Sequence, residues 1–461
     1  MAQFEISEAL QSPVVRVVGG TIAAGLLFIL VQEVRKIPPK LFALMATAFL
    51  DMIGLLMIIP IIPFYAQELA TNGIDVGPVH FGIGMIQAIL VTSFTIAQLL
   101  SAPLWGRFSD RHGRRPALLI ALGASALAYL VFGFATSLVV LFLSRILQGA
   151  GGGTVGVIQA YVADSVGPDD RARSLGWLSA ATNLGVALGP VLGAVAITLG
   201  KMDLAPGTGT FAMGRAAPGI VAALLCVLNM WFVQKYLKES RQPVDPSAVP
   251  VKRKTSREAI MRVLSHSGEP ASRLIWIYAI AMGAFQGVTA MLPLFLGARF
   301  QVDESTIGYF FMYVGAISVF TRVLLLGRAV DRFGEARLSR WGTALLALGI
   351  AGMPLSQNFA MLAVAVALIP LGTAFTFPCV TALLSRVISQ NERGLYMGLQ
   401  QTFGGVARIV VPLWAGFAFD RLGTGIPFYT SALAVLATIF LGLGLDQYVK
   451  ARPAAAVSLD A

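Results

Sequence analysis

The stretch Gly106-Arg-Phe-Ser-Asp110-Arg-His-Gly-Arg114-Arg115-Pro116 is a short charged loop between two long apolar segments. A weakened copy, Gly327-Arg-Ala-Val-Asp331-Arg-Phe-Gly-Glu-Ala-Arg337, follows about half a chain length later, again between apolar segments. A charged loop that repeats at half the length of a hydrophobic chain indicates a duplication. We therefore expect two homologous helical bundles that face one another, with a polar path between them.

The composition indicates a membrane protein. Hydrophobic residues make up 56% of the 461 residues, and charged residues only 12%. A water-soluble chain needs more charge to cover its surface, whereas a bilayer favours long apolar helices that satisfy their own backbone hydrogen bonds. We therefore predict an all-α polytopic membrane protein. The 48 glycines agree with this class, because small residues let membrane helices approach one another closely.

Twelve apolar segments are arranged in two sets of six, one in each half of the chain. At ~20 residues, each is long enough to cross a hydrocarbon layer of ~30 Å. We predict two six-helix bundles related by pseudo-two-fold symmetry. The segments cover residues 41–64, 81–104, 116–136, 138–162, 174–199, 217–237, 274–298, 305–326, 340–356, 359–385, 394–419 and 427–449.

These segments divide the chain into five regions. The stretch between the two sets is rich in lysine, arginine, proline and serine, which is typical of a solvated linker that is partly helical at most. The regions are an N-terminal extension with a short hydrophobic segment at 1–40, a six-helix bundle at 41–237, a cytoplasmic linker at 238–273, a second six-helix bundle at 274–449 and a cytoplasmic tail at 450–461.

The orientation follows from the distribution of lysine and arginine. The loops around 105–116, 163–173, 235–273, 327–340 and 386–393 are rich in basic residues, whereas the intervening loops hold only Lys201, Arg215, Arg299 and Arg421. Basic residues in short loops stay on the cytoplasmic side. Both glycine-arginine loops and the C-terminus are thus predicted to be cytoplasmic, in a plasma or bacterial inner membrane. Topology also accounts for most of the net charge of +11, so no nucleic-acid partner is predicted.

The N-terminal extension contains a short apolar run, residues 17–31, within the stretch 14–34. This run is shorter than a typical span. Glu5 and Glu8 argue against a cleaved signal peptide, which begins with basic residues. Two interpretations stay open: an additional tilted span, or an interfacial helix on the cytoplasmic face.

Three further motifs accompany the charged loop: Asp51 with Pro60 and Pro63, Arg145-Ile-Leu-Gln148-Gly149, and Gly185-x-x-x-Gly189-Pro190-x-x-Gly193. Together with Gly-x-x-x-Asp-Arg-x-Gly-Arg-Arg at 106–115, they resemble the signatures of the major facilitator superfamily, across residues 41–449. Within that superfamily they resemble the twelve-helix drug:proton antiporters. The resemblance implies the major-facilitator fold, and its glycine-proline motif in the fifth helix is associated with exporters.

The tetracycline-efflux branch looks nearest, through Ala-Tyr161-Val-Ala-Asp164, Asp170-Arg171-Ala-Arg173 and Leu383-Leu-Ser-Arg386. Tetracycline exporters also carry acidic residues in the third and ninth helices. The corresponding segments, 116–136 and 340–356, contain none. The resemblance therefore does not extend to tetracycline as the substrate.

We find one carboxylate deep within the twelve segments, Asp51. It lies about ten residues, or ~15 Å, into the first segment. A carboxylate at this depth is costly and favours a functional role over a structural one. The resemblance adds Arg145 as its basic partner in proton coupling. It also implies a cytoplasmic gate and a fifth-helix motif. The gate residues are Gly106, Asp110, Arg111, Gly113, Arg114, Arg115, Asp164, Asp331 and Arg332, and the fifth-helix motif comprises Gly185, Gly189, Pro190 and Gly193.

In the gate, we expect Asp110 to cap the helix that begins near Gly394 and Arg114 to pair with Asp164, both in the outward-open state. A substrate cavity needs polar and aromatic side chains on the facing helices, although each such residue also has a simple packing role available. The cavity candidates are Gln87, Gln148, Gln159, Asn183, Gln286, Gln400, Phe285 and Phe375.

No enzyme chemistry is indicated. Cys226 and Cys379 lie in apolar segments, and the three histidines are far apart, so we predict no metal site and no disulfide. We find no phosphate-binding glycine loop and predict no cofactor. The favoured interpretation is a monomeric secondary transporter that exports an amphipathic small molecule in exchange for protons. The alternatives are a metabolite importer or facilitator of the same fold, and a membrane receptor or scaffold that transports nothing.

Overall fold

The computed structural model describes residues 39–71, 73–165, 168–200, 213–239, 256–304, 306–389 and 392–446. The alternatives for the N-terminal extension, apart from its last two residues, lie outside the described residues and stay predictions, as does the tail at 450–461. Residues 240–255 of the predicted linker also lie outside them.

The first half of the chain forms helices and one short hairpin. The elements are α1 (Pro39–Ile58), α2 (Ile62–Leu69), β1 (Ile74–Val76), β2 (Val79–Phe81), α3 (Ile83–His112), α4 (Arg114–Gly133), α5 (Leu138–Gly151), α6 (Thr154–Ser165), α7 (Pro168–Gly200) and α8 (Met213–Tyr236). The strands are antiparallel and pair Asp75 with His80. This hairpin was not predicted, because strands of three residues are too short to produce a clear alternating pattern.

The second half forms helices with one π-helical turn. The elements are α9 (Ser256–Ser265), α10 (Pro270–Phe300), α11 (Ile307–Phe320), the π-turn (Thr321–Leu325), α12 (Leu326–Phe333), α13 (Glu335–Leu355), α14 (Phe359–Val387), α15 (Arg393–Arg421) and α16 (Ile426–Gly442). The amphipathic helix α9 packs Ala259 and Val263 into the core of this half.

Each of the twelve predicted segments corresponds to a helix or to two consecutive helices. Ten stretches of the described residues are long and apolar enough to cross a membrane. The twelfth segment, Ile426–Gly442, is a shorter apolar helix. The ninth, Glu335–Leu355, has 21 residues but carries charges in its first turns. The predicted all-α polytopic fold class is confirmed.

The glycines of the fifth-helix motif bring α7 into contact with α1. A Cβ atom on Gly185 would lie 2.6 Å from the carbonyl oxygen of Phe49, and one on Gly193 would lie 2.3 Å from that of Met57. A Cβ on Gly189 would approach Leu56 Cβ to 2.7 Å. Only glycine permits this spacing, because each distance is shorter than real Cβ contacts allow. The repeat of four residues thus places α7 directly against the helix that carries Asp51.

The two halves contact one another at the end that carries the β1–β2 hairpin, which we call the hairpin end. The opposite end carries the glycine-arginine loops at 106–115 and 327–337, and we call it the motif end. A Cβ on Gly416 of α15 would lie 2.5 Å from the Gly84 carbonyl oxygen of α3. A Cβ on Gly308 of α11 would lie 3.1 Å from the Pro190 carbonyl oxygen of α7. Both contacts lie towards the hairpin end, so the halves are closed there.

A carboxylate of the second half also caps a helix of the first half at the hairpin end. Gly84 N donates to Asp420 Oδ1 at 2.9 Å, and Met85 N donates to Asp420 Oδ2 at 2.8 Å. Both amides belong to the first turn of α3, whose N–H groups have no partner within the helix. The negative charge of the Asp420 carboxylate also lies at the positive end of the α3 dipole, which is a favourable interaction.

Candidate transport site

The fourth predicted segment is not one continuous helix. Helix α5 ends at Gly151, and α6 begins at Thr154, with Gly152 and Gly153 between them. Three consecutive glycines make this the weakest point of the segment, because glycine is a poor helix former. A broken helix in a membrane protein leaves backbone groups that need other partners, and such breaks occur where the backbone lines a cavity.

Side chains of α3 supply those partners. Trp105 Nε1 donates to the Ala150 carbonyl oxygen at 2.6 Å. Ser101 Oγ donates to the Gly149 carbonyl oxygen at 3.3 Å, and Gln98 Nε2 reaches the Gly152 carbonyl oxygen at 3.4 Å. The three donors share one face of α3, since they are spaced three and four residues apart. The break is therefore held in a defined geometry by α3.

Asp51 of α1 contacts the first residue after the break. Its side chain is 7% exposed, and Thr154 Oγ1 donates to Asp51 Oδ2 at 2.7 Å. Thr154 is the first residue of α6, so this bond joins α1 to the broken segment. The carboxylate and the break are thus connected through a single hydroxyl.

Arg145 is fully buried but does not pair with Asp51. Its guanidinium lies over the Phe132 ring at 4.9 Å, and its Nε donates to Ser144 Oγ at 3.4 Å. The Nη2 atom is buried without a hydrogen-bond partner. Within the described residues, no ion pair joins Arg145 to a carboxylate. The predicted coupling between Arg145 and Asp51 stays a prediction for another conformation.

A cleft of about 360 Å³ lies between the two halves, towards the motif end. It is bounded by α3 and the broken α5–α6 segment on one side and by α15 on the other. Its walls are mainly apolar, with a few polar groups, which is typical of a small-molecule site. The lining residues are Thr95, Gln98, Leu99, Ala102, Trp105, Gly106, Ser109, Arg114, Gly152, Gly153, Val155, Gly156, Val157, Ala160, Gln401, Thr402, Gly405 and Arg408.

The eight predicted cavity residues do not line this cleft. Gln87, Gln148 and Gln400 are buried between helices, and Gln400 bonds to Thr381 Oγ1 at 3.3 Å. Asn183 donates to the Ser179 carbonyl oxygen within α7 at 2.7 Å, while Gln159 is exposed. The others, Phe285, Gln286 and Phe375, are half-buried on α10 and α14. A role in substrate binding stays a prediction for all eight.

The gate loop is organised around Arg114. Its Nη1 donates to Asp110 Oδ1 at 2.5 Å and to Ser109 Oγ at 2.8 Å. Its Nε donates to Asp164 Oδ2 at 2.8 Å. The predicted pair of Arg114 with Asp164 is therefore present, and it joins α4 to the end of α6.

Our expectation that both gate contacts break when the motif end opens needs one correction. Arg114 and Asp164 lie in the same half, and their ion pair is intact although the cleft lies open towards that end. Asp110 is different, because its side chain is 64% exposed and bonded only to Arg114 among the described residues. Asp110 is thus the gate residue that is free to contact the other half in a second conformation.

Gly113 and Glu239 complete the turn between α3 and α4. Gly113 has a backbone angle φ of +104°, which residues with a side chain rarely adopt. A Cβ on Gly113 would also lie 2.4 Å from Glu239 Oε2. The Glu239 carboxylate accepts from the Arg114 amide at 2.8 Å and from the Arg115 amide at 3.1 Å. It therefore caps the N-terminus of α4. Sequence reasoning missed Glu239, because it lies beyond α8 and far from the motif it caps.

The second loop repeats this arrangement with opposite charges. Gly334 has φ +78° and precedes Glu335, as Gly113 precedes Arg114. Arg386 Nη2 donates to Glu335 Oε1 at 2.6 Å. Glu335 and Arg386 thus occupy the positions that Arg114 and Asp164 hold in the first half. The partners are separated by 50 residues in the first pair and 51 in the second, but the reversed charges concealed this similarity in the sequence.

The remaining gate residues lie at the surface of the motif end. Gly106 lines the cleft, and no atom lies within 4 Å of a Cβ built there. Arg111, Asp331 and Arg332 are exposed, and Arg115 Nη2 donates to the Gln234 carbonyl oxygen at 2.6 Å. Their roles in gating stay predictions.

We expect Gly153→Ala to impair transport, with Gly156→Ala as the matched control. A Cβ on Gly153 would lie 2.3 Å from Trp105 Cγ, so the indole must move and release the Ala150 carbonyl. Such a hydrogen bond contributes ~1 kcal/mol to the geometry of the break, so we expect transport per folded molecule to fall roughly fivefold. Gly156 lines the same cleft but has open space at its Cβ position. Equal transport rates and tryptophan emission for the two variants would contradict a fixed break.

Comparisons with known proteins agree with this architecture. The family model described as "Major Facilitator Superfamily" matches residues 44–325 and 323–458. The tetracycline resistance protein of class G from Vibrio anguillarum is 28% identical over 364 residues, covering 79% of this chain and 86% of that protein. Multidrug resistance protein 2 of Bacillus subtilis (strain 168) is 26% identical over 423 residues, covering 90% and 96%.

Two solved structures have the same fold. The human organic anion transporter MFSD10 (TETRAN) matches with a TM-score of 0.63 at 23% identity, covering 88% of this chain and 100% of that chain. An inward-facing, occupied bacterial homologue of the human lysosomal transporter Spinster matches with a TM-score of 0.63 at 15% identity, covering 90% and 98%.

The chain is an integral membrane transporter and not an enzyme. It belongs to the Major Facilitator Superfamily. The predicted resemblance to drug:proton antiporters near the tetracycline-efflux branch is confirmed by these relatives.

Proposed function

We propose that the protein exports an amphipathic small molecule in exchange for protons, by alternating access. The observation that carries the proposal is the bond from Thr154 to Asp51. It connects a carboxylate at membrane depth to the broken helix that lines the cleft between the halves. Proton binding at Asp51 and substrate binding in the cleft are then coupled through the broken α5–α6 segment.

The conformation of the two halves is consistent with a substrate route from the motif end to the hairpin end. The halves are closed at the hairpin end, while the cleft lies towards the motif end. The basic loops favour the cytoplasmic side for the motif end. In this orientation, substrate enters the cleft from the cytoplasm and leaves after the hairpin end opens.

Protonation of Asp51 is the proposed coupling step. An ionised carboxylate accepts the Thr154 hydroxyl hydrogen, whereas a protonated one has a hydrogen of its own to donate. Burial favours the protonated form of a carboxylate, and a nearby cation favours the ionised form. Motion of α1 relative to Arg145 would therefore load and release the proton, and it would change the bonding of Thr154 at the same time.

Two observations favour export. The glycine-proline motif of α7 resembles that of exporters, and the relatives are named for tetracycline and multidrug resistance. An importer or facilitator of the same fold remains the second candidate. Import and export are separated by measuring uptake in right-side-out and inside-out vesicles.

The direct test is a proteoliposome assay with the purified full-length protein. The pH change is recorded while a panel of lipophilic cations, anions and neutral compounds is added. We expect at least one compound to cause substrate-dependent proton movement that protein-free liposomes lack. A protein that binds a compound of the panel but moves neither it nor protons would instead be a receptor.

We expect Asp110→Asn to favour the conformation that is open at the motif end. In the closed form, Asp110 would cap the N-terminus of α15 near Gly394, and the loss of its charge weakens that contact by ~1 kcal/mol. This shifts the equilibrium about fivefold and lowers transport, with little loss of folded protein. Glu258→Gln is the control, since Glu258 is an exposed carboxylate of α9 that is not part of the predicted gate. Wild-type transport by the Asp110→Asn protein would contradict the gate.

A further inference from the structure

Arg408 lies near the middle of the 29-residue helix α15, Arg393–Arg421. This places it ~20 Å from either end of the helix and hence near the middle of the membrane. A cation at this depth is costly and needs a partner or a function.

Arg408 lines the cleft, and no hydrogen bond or ion pair to its side chain is found among the described residues. Its Nε is buried and has no hydrogen-bond partner, and no ion pair joins it to a carboxylate within the described residues. Its Nη2 lies 3.9 Å from the position of a Cβ on Gly405, beside Leu99 of α3. The guanidinium is thus at the boundary between the two halves, where a transported molecule passes.

The described residues that line the cleft include no carboxylate to balance Arg408. Its lining includes one other charged residue, Arg114, whose guanidinium is already bonded to Asp110 and Asp164. Asp51 does not line the cleft and is bonded to Thr154. The π-turn residue Arg322 also has an unpartnered Nε, but it does not line this cleft. Arg408 therefore supplies a positive charge that no carboxylate among the described residues neutralises, and a bound anion could do so.

The fold itself does not require an arginine at this position. Helices α7 and α15 are equivalent in the repeat, and the residue of α7 that corresponds to Arg408 is Val186. Arg408 therefore has no charged counterpart in the first half, and the shared helix packing of the repeat does not account for it.

We propose that Arg408 binds the anionic group of the substrate, and that this substrate is an amphipathic organic anion. A carboxylate, sulfonate or phosphate ester would pair with the guanidinium, which presents donors in a geometry suited to such groups. The apolar body would lie against Leu99, Trp105 and Val157. This proposal rests on the proposed transport function and adds the chemical class of the substrate.

The test uses three probes that share one apolar body and differ in the head group. They are tritiated 6-(2-naphthyl)hexanoate, the corresponding hexanol, and the corresponding hexyltrimethylammonium. Binding to the purified full-length protein is measured by scintillation proximity in neutral detergent, and transport is measured in phosphatidylcholine liposomes. The variants are Arg408→Gln, Arg408→Lys and, as a control, Arg328→Gln, since Arg328 is an exposed arginine that bonds to Leu324 of its own helix segment.

We expect the acid to bind at least tenfold more tightly than the alcohol, and the ammonium compound to bind more weakly still. Arg408→Gln should remove the preference for the acid without changing alcohol binding, and Arg408→Lys should restore part of it. The control should behave as wild type. Equal acid binding by wild type and Arg408→Gln, or absence of acid binding to wild type, would overturn the proposal.

Two further arms distinguish a lipid headgroup from a substrate anion, and binding from transport. Phosphatidylglycerol is titrated into the micelles: if it binds in an Arg408-dependent manner and the free acid does not, Arg408 holds a lipid headgroup and the substrate class is wrong. If the acid binds through Arg408 but is not moved across liposomes, the anion site stands and the transport proposal fails. If the ammonium compound is transported independently of Arg408, transport stands and the anion proposal fails.

Discussion

Asp51→Asn protein is expected to lose proton-driven export completely while remaining folded and able to bind substrate. Asparagine retains the size of the side chain and a carbonyl oxygen that accepts the Thr154 hydroxyl, but it cannot bind or release a proton. Without a group that binds and releases this proton, an imposed pH difference cannot drive the conformational cycle. The variant should therefore concentrate no substrate, and its rate should not respond to pH.

Exchange of labelled for unlabelled substrate at equal concentrations separates coupling from binding. This exchange requires only that the loaded protein alternate between its two conformations. We expect it to continue at least partly in the Asp51→Asn protein, because no net proton movement is needed. Thr154→Ser is the matched control, since it keeps the hydroxyl that bonds Asp51 Oδ2 at 2.7 Å.

Retention of uphill transport would place the proton elsewhere. If the Asp51→Asn protein concentrates substrate with an undiminished response to imposed pH differences, another group carries the proton. Thr154→Val then distinguishes the remaining roles: if it also transports normally, the bond between α1 and the broken helix is structural only.

Much of the fold was predictable because hydropathy and charge act over whole segments. The twelve apolar runs and the repeated loop at 106–115 and 327–337 define two bundles without knowledge of any contact. Gly185, Gly189 and Gly193 were recognised as a family motif, but their close contact with α1 was not predicted. The break at Gly151–Gly153 also has a sequence signal, three consecutive glycines, which average hydropathy conceals.

The site was less predictable because it depends on contacts between residues that are distant in sequence. Each glutamine was chosen for its residue type, yet Gln87, Gln148 and Gln400 are buried between helices and Gln98 is the one that reaches the break. Packing decides which face of a helix lines a cleft. The sequence alone therefore does not show which of several glutamines faces that cleft. The contact of Asp420 with α3 has no local signal at all, since the partners are 335 or more residues apart.

Asp420 is the hairpin-end counterpart of Asp110. Asp110 lies near the end of α3 and is proposed to cap α15 at the motif end, whereas Asp420 lies near the end of α15 and caps α3 at the hairpin end. Each carboxylate then stabilises one of the two conformations. Gly82 and Gly84 allow this close approach, because a Cβ on either would lie within 2.7 Å of the Asp420 carboxylate.

Asp420→Ala is therefore expected to shift the protein towards the conformation that is open at the hairpin end, opposite to the effect of Asp110→Asn. It removes two charge-assisted bonds that are partly screened by solvent, together worth ~1–2 kcal/mol. The equilibrium should move by about 5- to 30-fold, and transport should fall because both conformations are needed. Spin labels at Thr71→Cys and Leu422→Cys, one in each half at the hairpin end, report the opening as a longer distance.

Two controls complete this test. Asp75→Ala removes a carboxylate of the same end that bonds to His80 within the hairpin at 2.8 Å, and it should leave the distance unchanged. The double variant Asp110→Asn with Asp420→Ala removes both contacts. Its equilibrium between the two conformations should therefore lie closer to that of wild type, and it should recover part of the transport that each single variant loses. If Asp420→Ala leaves both the distance and the transport rate as in wild type, the hairpin-end contact does not contribute to the equilibrium and the paired capping of α3 and α15 is wrong.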